Sequence, residues 1–259
     1  MGIKTKIDWC DSTWNPVVGC FNCCDYCYAR KIAERFRERI SEKDFYDLSS
    51  PMLKAGEKGN PVIAPYPYGF TPTFFRYKLD EIQKWKKPKN IFVCSMADLF
   101  GGWVPVEWVM EVFKSCENVP QHNYLFLTKN PYGYVSLLNI YKLPIHDNFW
   151  YGTTVDRFGC QVFNHSEFNT FISFEPLTEG AYEAFKRTYS FQTVKWFIIG
   201  AETGRRKGKI VPKKEWVDCI VKRAREEGIS VFMKDSLKNI YGDNLIKEYP
   251  DGLDNKSRR

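Results

Sequence analysis

The sequence predicts an α/β fold: a full or partial (β/α) barrel of about six parallel strands, in one domain covering residues 1–259. Three observations lead there. Short apolar runs alternate with helical patterns between residues 91 and 233, as in successive βα units with a parallel sheet. Each run ends in polar or glycine residues, and in such sheets chemistry gathers at the C-terminal strand ends. A chain of 259 residues, 44% of them hydrophobic, can bury one large core. An open, doubly wound sheet fits the same alternation.

The elements follow in order. A strand is expected near Trp14–Val18, ahead of a cysteine-rich loop at 19–28. A charged helix is expected over Ala29–Ile40. Residues 47–76, rich in Pro, Gly and Tyr, read as an insertion that is mostly loop. Six strands are then expected at Ile91–Ser95, Tyr124–Thr128, Phe149–Thr153, Thr170–Phe174, Trp196–Gly200 and Ser230–Met233. Helices are expected at Pro105–Cys116, Tyr132–Tyr141, Gly180–Thr188 and Lys213–Glu227.

Composition narrows the classes of function. Nothing near about 18 consecutive apolar residues occurs, so no membrane span is expected. Met1 to Asp8 is polar and lacks a signal-peptide core, which predicts a cytoplasmic protein. The net charge of +7 lies largely in Lys84–Lys89, Arg205–Lys209, Lys213–Arg225 and Lys256–Arg259. Such runs attract an anionic partner or simply form a solvated basic surface. Nine cysteines are many for a reducing compartment, where clustered thiols read as metal ligands rather than disulfides. Cys94, Cys116, Cys160 and Cys219 are scattered and read as buried small hydrophobes. His122, His146 and His165 have no metal-ligand spacing.

The cluster of thiols carries the chemistry. Cys20, Cys24 and Cys27 are spaced C-x3-C-x2-C, with Tyr26 just before the last. Three thiolates on a short loop can hold three irons of a [4Fe–4S] cluster, where an electron-carrying cluster uses four. The fourth iron then accepts another ligand. S-adenosylmethionine suits it, because its methionine amine and carboxylate can chelate that iron. The same stretch also parses as Cys20-x2-Cys23 and Cys24-x2-Cys27, a zinc site of four cysteines. That parse describes a zinc-stabilised nucleic-acid-binding protein without catalysis. Its difficulty is that one metal must be wrapped by eight residues. In the iron–sulfur reading Cys23 is a bystander, and Cys10 either approaches the cluster or is a packed thiol.

The loop resembles that of the radical S-adenosylmethionine superfamily. Ile7-Asp8-Trp9, the run Thr13 to Cys20, Ile91 to Phe100, Leu127-Thr128-Lys129, Phe174 to Leu177, Ile199 to Gly204 and Phe232-Met233-Lys234 are similar to a phage-associated radical-SAM-like family of unknown function. These motifs run nearly end to end in the family's order. The resemblance implies a radical-SAM barrel, a [4Fe–4S] cluster on Cys20, Cys24 and Cys27, and bound S-adenosylmethionine. It also implies an external electron donor of ferredoxin or flavodoxin type. It places Ser95 and Asp98 near the methionine amino group and Thr153 at a ribose contact, with Tyr26 packing near the adenine. Thr128 and Lys129 resemble a strand-end pair of the spore photoproduct lyase-like branch, and Glu175 and Glu202 become cofactor or substrate ligands. Cys10 stands where that family more usually has threonine, and the segment Asp156–Asn169 is shorter than in the family.

Charge adds further expectations. A buried Asp98 or Glu175 carboxylate would pair with the cofactor ammonium, a charge-assisted bond of about 1.5–3 kcal/mol. Lys129 or Lys234 would face its carboxylate or an anionic substrate. Arg205 and Arg206, between Gly204 and Gly208, would grip phosphates, which points to a nucleotide, nucleic acid or other phosphate-bearing substrate.

Overall fold

In the computed structural model, which describes residues 5–57, 59–188, 190–203 and 209–253, the chain begins with β1 (Ser12–Trp14). β2 (Val17–Val18) and helix α1 (Tyr28–Arg35) follow. The insertion contributes β3 (Tyr46–Leu48), β4 (Leu53–Ala55), β5 (Pro61–Ile63) and β6 (Thr73–Phe75), then a 3-10 helix at Arg76–Lys84. The βα units are β7 (Asn90–Val93) with α2 (Val106–Glu117), and β8 (Asn123–Thr128) with α3 (Pro131–Ile140). β9 (Phe149–Thr154) leads to β10 (Asn169–Phe174) through a loop without a helix. α4 (Glu179–Arg187), β11 (Val194–Ile199), α5 (Lys214–Glu226), β12 (Ser230–Met233) and α6 (Lys238–Tyr241) complete the chain.

Seven parallel strands form the main sheet in the order β1-β7-β8-β9-β10-β11-β12. Strand order follows chain order throughout. A doubly wound sheet would reverse direction at a switch point, so the sheet winds one way, as a partial barrel. Helices α2 to α5 pack on its outer face. Ile91, Val93, Tyr124, Phe126, Phe149 and Tyr151 meet α2 and α3, and Ile172, Phe174, Phe197, Ile199 and Val231 meet α4 and α5. The alternate side chains, Phe92, Leu125, Trp150, Phe171, Trp196 and Phe232, fill the inside. This is the period of two that a strand imposes. Trp9 enters that interior, with its ring 4.7 Å from Phe92 and 6.1 Å from Trp196.

Among the described residues the two edge strands do not pair. The segments beyond them do meet: Asp8, before β1, accepts from the Asp235 N–H at 2.7 Å and the Lys247 Nζ at 3.0 Å, after β12. Gly152 in β9 faces inward against the Phe171 ring, and a methyl group there would overlap that ring. Gly152→Ala is therefore expected to cost about 1–3 kcal/mol through overpacking, read as a lower urea midpoint at unchanged slope.

Three expected elements differ. The first strand is split, because Pro16 has no N–H to continue it. β1 joins the barrel, while β2 pairs antiparallel with β6, and Phe75 N donates to the Pro16 carbonyl at 2.7 Å. The first helix stops at Arg35, not Ile40, since the N–H groups of Glu38 and Arg39 turn to the Pro67 carbonyl. The insertion is not mostly loop. β6 is the centre of a three-stranded sheet with β2 and β3, and β4 pairs with β5.

Candidate functional site: a thiol loop over the barrel mouth

A cavity of about 200 Å³ opens at the C-terminal ends of the barrel strands. Gly19 (φ 98°) turns the chain from β2 into the thiol loop, with its backbone against the Thr71 carbonyl, where a side chain would collide. Cys20, Cys24 and Cys27 line the cavity, and Cys23 does not. Cys23 takes a left-handed turn (φ 53°), is exposed, and its Sγ accepts from Arg30 Nη2 at 3.8 Å. The same guanidinium donates to the Cys20 carbonyl at 3.2 Å.

Backbone N–H groups already meet two of the inward sulfurs. Asn22 N–H donates to Cys20 Sγ at 3.3 Å, and Arg30 N–H donates to Cys27 Sγ at 3.3 Å, Cys27 being the N-cap of α1. Hydrogen bonds to sulfur are among the features that tune an iron–sulfur cluster. Burial pushes the Cys20 thiol up to about 12, and burial also raises Cys24 despite the nearby Lys129 ammonium. Any metal bound through Cys20 would have to displace its proton.

Two buried carboxylates clasp this loop to the barrel. Asp98 accepts at one oxygen from Thr128 Oγ1 (2.6 Å) and Phe100 N (3.3 Å). At the other it accepts from Asn22 Nδ2 (2.9 Å) and Lys129 N (3.0 Å). Asp156 accepts from the Tyr26 hydroxyl and from Lys129 Nζ, the latter at 2.6 Å. Burial opposes ionisation of Asp156, yet the Lys129 charge and the bonds from Lys129 and Tyr26 hold its carboxyl below the usual range. Burial and the Asp156 charge raise the Tyr26 phenol. Both clasps converge on Lys129: its backbone N–H holds Asp98 and its ammonium holds Asp156.

The structure thus gathers Cys20, Cys24, Cys27, Tyr26, Ser95, Asp98, Thr128, Lys129, Glu175, Glu202 and Lys234 around one cavity. Ser95 donates through Oγ to Asn15 Oδ1 at 3.1 Å, and its carbonyl accepts from the Tyr28 hydroxyl at 2.9 Å. Glu175 pairs with Lys234 across the rim, and Glu202 accepts from Ile210 N at 3.0 Å. Thr153 is not in the cavity wall. Its hydroxyl accepts from Phe163 N–H at 3.0 Å, and Thr154, one residue on, lines the cavity instead. Arg205 and Arg206 lie outside the described residues. Asp98 departs from the ammonium role expected of it: four protein donors already fill its lone-pair sites. Lys129 is likewise engaged by Asp156. Asn22 and Thr154 line the cavity and were not among the residues the sequence singled out, whereas Asp156 is one of the polar strand-end residues expected to gather there.

Three of the four loop thiols share the cavity, and the fourth is exposed. Among the described residues, no three Cys, His, Asp or Glu side chains converge closely enough to hold one metal ion. A tetrahedral zinc needs its donors at about 2.3 Å from one centre, and Cys23 faces away from such a centre. In a cubane each thiolate takes its own iron, so the sulfurs stand apart around a shared space.

No curated protein matches the sequence. Among solved structures, spore photoproduct lyase complexed with dinucleoside spore photoproduct is similar, with a TM-score of 0.52 at 10% identity. That similarity covers 90% of this chain and 79% of the other. A cysteine-to-serine variant of spore photoproduct lyase also matches, with a TM-score of 0.49 at 12% identity over 90% and 80% of the two chains. At such identity the first likeness is one of fold. No described helix is long and apolar enough to cross a membrane. Residues 4–243 match the family described as "Protein of unknown function (DUF5131)", and the chain belongs to that family.

Proposed function

We propose that this protein is a radical S-adenosylmethionine enzyme. The observation that carries the reading is the division of the four loop thiols: three line the mouth of a parallel barrel and Cys23 faces out. Cys20, Cys24 and Cys27 would hold a [4Fe–4S] cluster. Given S-adenosylmethionine and an electron from a ferredoxin- or flavodoxin-type donor, such a cluster would supply the reductive chemistry for taking hydrogen from an unactivated carbon.

The protein's own residues bind, orient and enclose. Among the described residues Glu175 has Lys234 as its one side-chain partner, and it is the rim carboxylate suited to the cofactor ammonium. Lys234, released from that pair, suits the cofactor carboxylate. Tyr26, held by Asp156, and Ser95 line the cavity beside the thiols, and Thr154 takes the ribose position expected of Thr153. Glu202 and Thr203 close the far rim. The substrate class is a nucleotide, nucleic acid or other phosphate-bearing molecule, from the basic residues around Arg205 and Arg206.

Anaerobic reconstitution tests the reading. The expected product is a brown protein with about four irons and four sulfides per chain, which forms 5′-deoxyadenosine when reduced with S-adenosylmethionine. A colourless protein holding one zinc would replace this reading with the four-cysteine one.

A further inference from the structure

We propose that a second cleft, beside the edge strand β1 and outside the barrel, binds single-stranded nucleic acid, with lysine ammoniums on its phosphates and Trp85 against a base. The cleft measures about 460 Å³, against about 200 Å³ for the barrel mouth, and the two share no lining residue. Its walls are β1 with Asn15, the insertion at Pro65 and Tyr66, and the 3-10 helix with Lys78, Glu81 and Lys84, closing on Trp85.

Two lysines, Lys78 and Lys84, face Glu81 in the wall of this cleft. The Lys78 ammonium lies 4.3 Å from the centre of the Phe75 ring and 5.9 Å from that of Tyr77. Burial pulls it below the ordinary lysine value. Among the described residues, Lys78, Lys84, Lys86, Lys87 and Lys89 form no direct ion pair, and Glu81, the one carboxylate in the wall, acts on Lys78 through its charge alone. Lys89 instead donates to Ser12 Oγ at 3.1 Å and sits 5.6 Å over Trp85. Some lysines elsewhere do have carboxylate partners: Lys54 with Glu38, Lys186 with Glu183, Lys214 with Asp218.

A free phosphate would use only Lys78 and Lys84. The lysines continue along the chain beyond the wall to Lys86, Lys87 and Lys89, next to the half-buried Trp85. A succession of cations around an aromatic platform is how single strands are held without sequence preference. A duplex would offer the phosphates and no free base. The cleft needs no iron–sulfur cluster, so its test stands whether or not the barrel mouth carries one.

The probe is a fluorescein-labelled oligothymidylate titrated by anisotropy against the full chain over a range of salt. A matching oligoribonucleotide, an abasic strand, a duplex and inorganic phosphate form the comparison set. Replacing Lys86, Lys87 and Lys89 together by Gln should reduce the slope of log K against log salt by about 2, at about 0.7 per phosphate contact. Trp85→Ala should weaken binding by roughly 5- to 150-fold. Because Trp85 also packs on the core, the abasic strand makes the same test on unaltered protein and should lose a comparable factor. Lys186→Gln with Lys222→Gln, on distant helices, should leave the slope unchanged. An unchanged slope in the Lys86/Lys87/Lys89 variant, equal loss in the distant one, equal affinity for the abasic strand or the duplex, or displacement by phosphate at similar concentration would overturn the proposal.

Discussion

Alanine at Cys20, Cys24 or Cys27 should leave a folded protein that takes up little or no iron, while Cys23→Ala should load like the unaltered chain. The three inward thiols share one cavity, and each would hold a separate iron, so losing any one removes a corner of the cluster. Cys23 contributes only a long contact with Arg30, at 3.8 Å. Alanine keeps its Cβ, so the left-handed turn at φ 53° is no more strained than before. Arg30 also retains its bond to the Cys20 carbonyl. Iron and sulfide content, visible absorption and the electron paramagnetic resonance of the reduced protein report the outcome. Equal loss at all four positions would mean that Cys23 swings inward to complete a four-thiolate site.

The barrel was legible because its strands are buried on both faces. Parallel strands covered by helices read as continuous apolar runs, and β7 to β12 stand out between polar ends. The same property hid the error at Thr153. Phe149-Trp150-Tyr151 is aromatic on both faces, so the run does not show which residues point inward; only the register, with Trp150 and Gly152 inside, selects Thr154. Strands of three residues in the insertion carry too little pattern to be seen, and β5 is exposed along its length. The cysteines were legible as a spacing and the strand-end residues as a topology. The clasps were not, because they join residues far apart: Asn22 to Asp98 over 76 positions, and Tyr26 to Asp156 over 130. A carboxylate at a strand end looks the same in sequence whether it awaits a ligand or is already filled by the protein.

Asp98 is such a filled carboxylate, and its removal should be the most damaging single change near the site. The residue is 5% exposed and accepts four bonds. Asp98→Ala leaves the Thr128 hydroxyl, the Lys129 and Phe100 N–H groups and the Asn22 amide without their acceptor. Each buried donor left unmet costs about 1–3 kcal/mol. Water entering from the cavity offsets part of that, so a net loss of about 3–5 kcal/mol is expected, seen as a large fall in the melting temperature. Asp98→Asn keeps one accepting oxygen and should fall between. Asn22→Ala separates anchoring from stability: Asp98 keeps three donors, so the fold should melt nearly as before. The segment between Cys20 and Cys24 nevertheless loses its tether, and iron should be retained less well under chelator challenge. A double-mutant cycle between Asn22 and Asp98 isolates the coupling. An Asp98→Ala protein that melts like the parent and holds iron equally would show that the Tyr26–Asp156–Lys129 clasp alone positions the thiols.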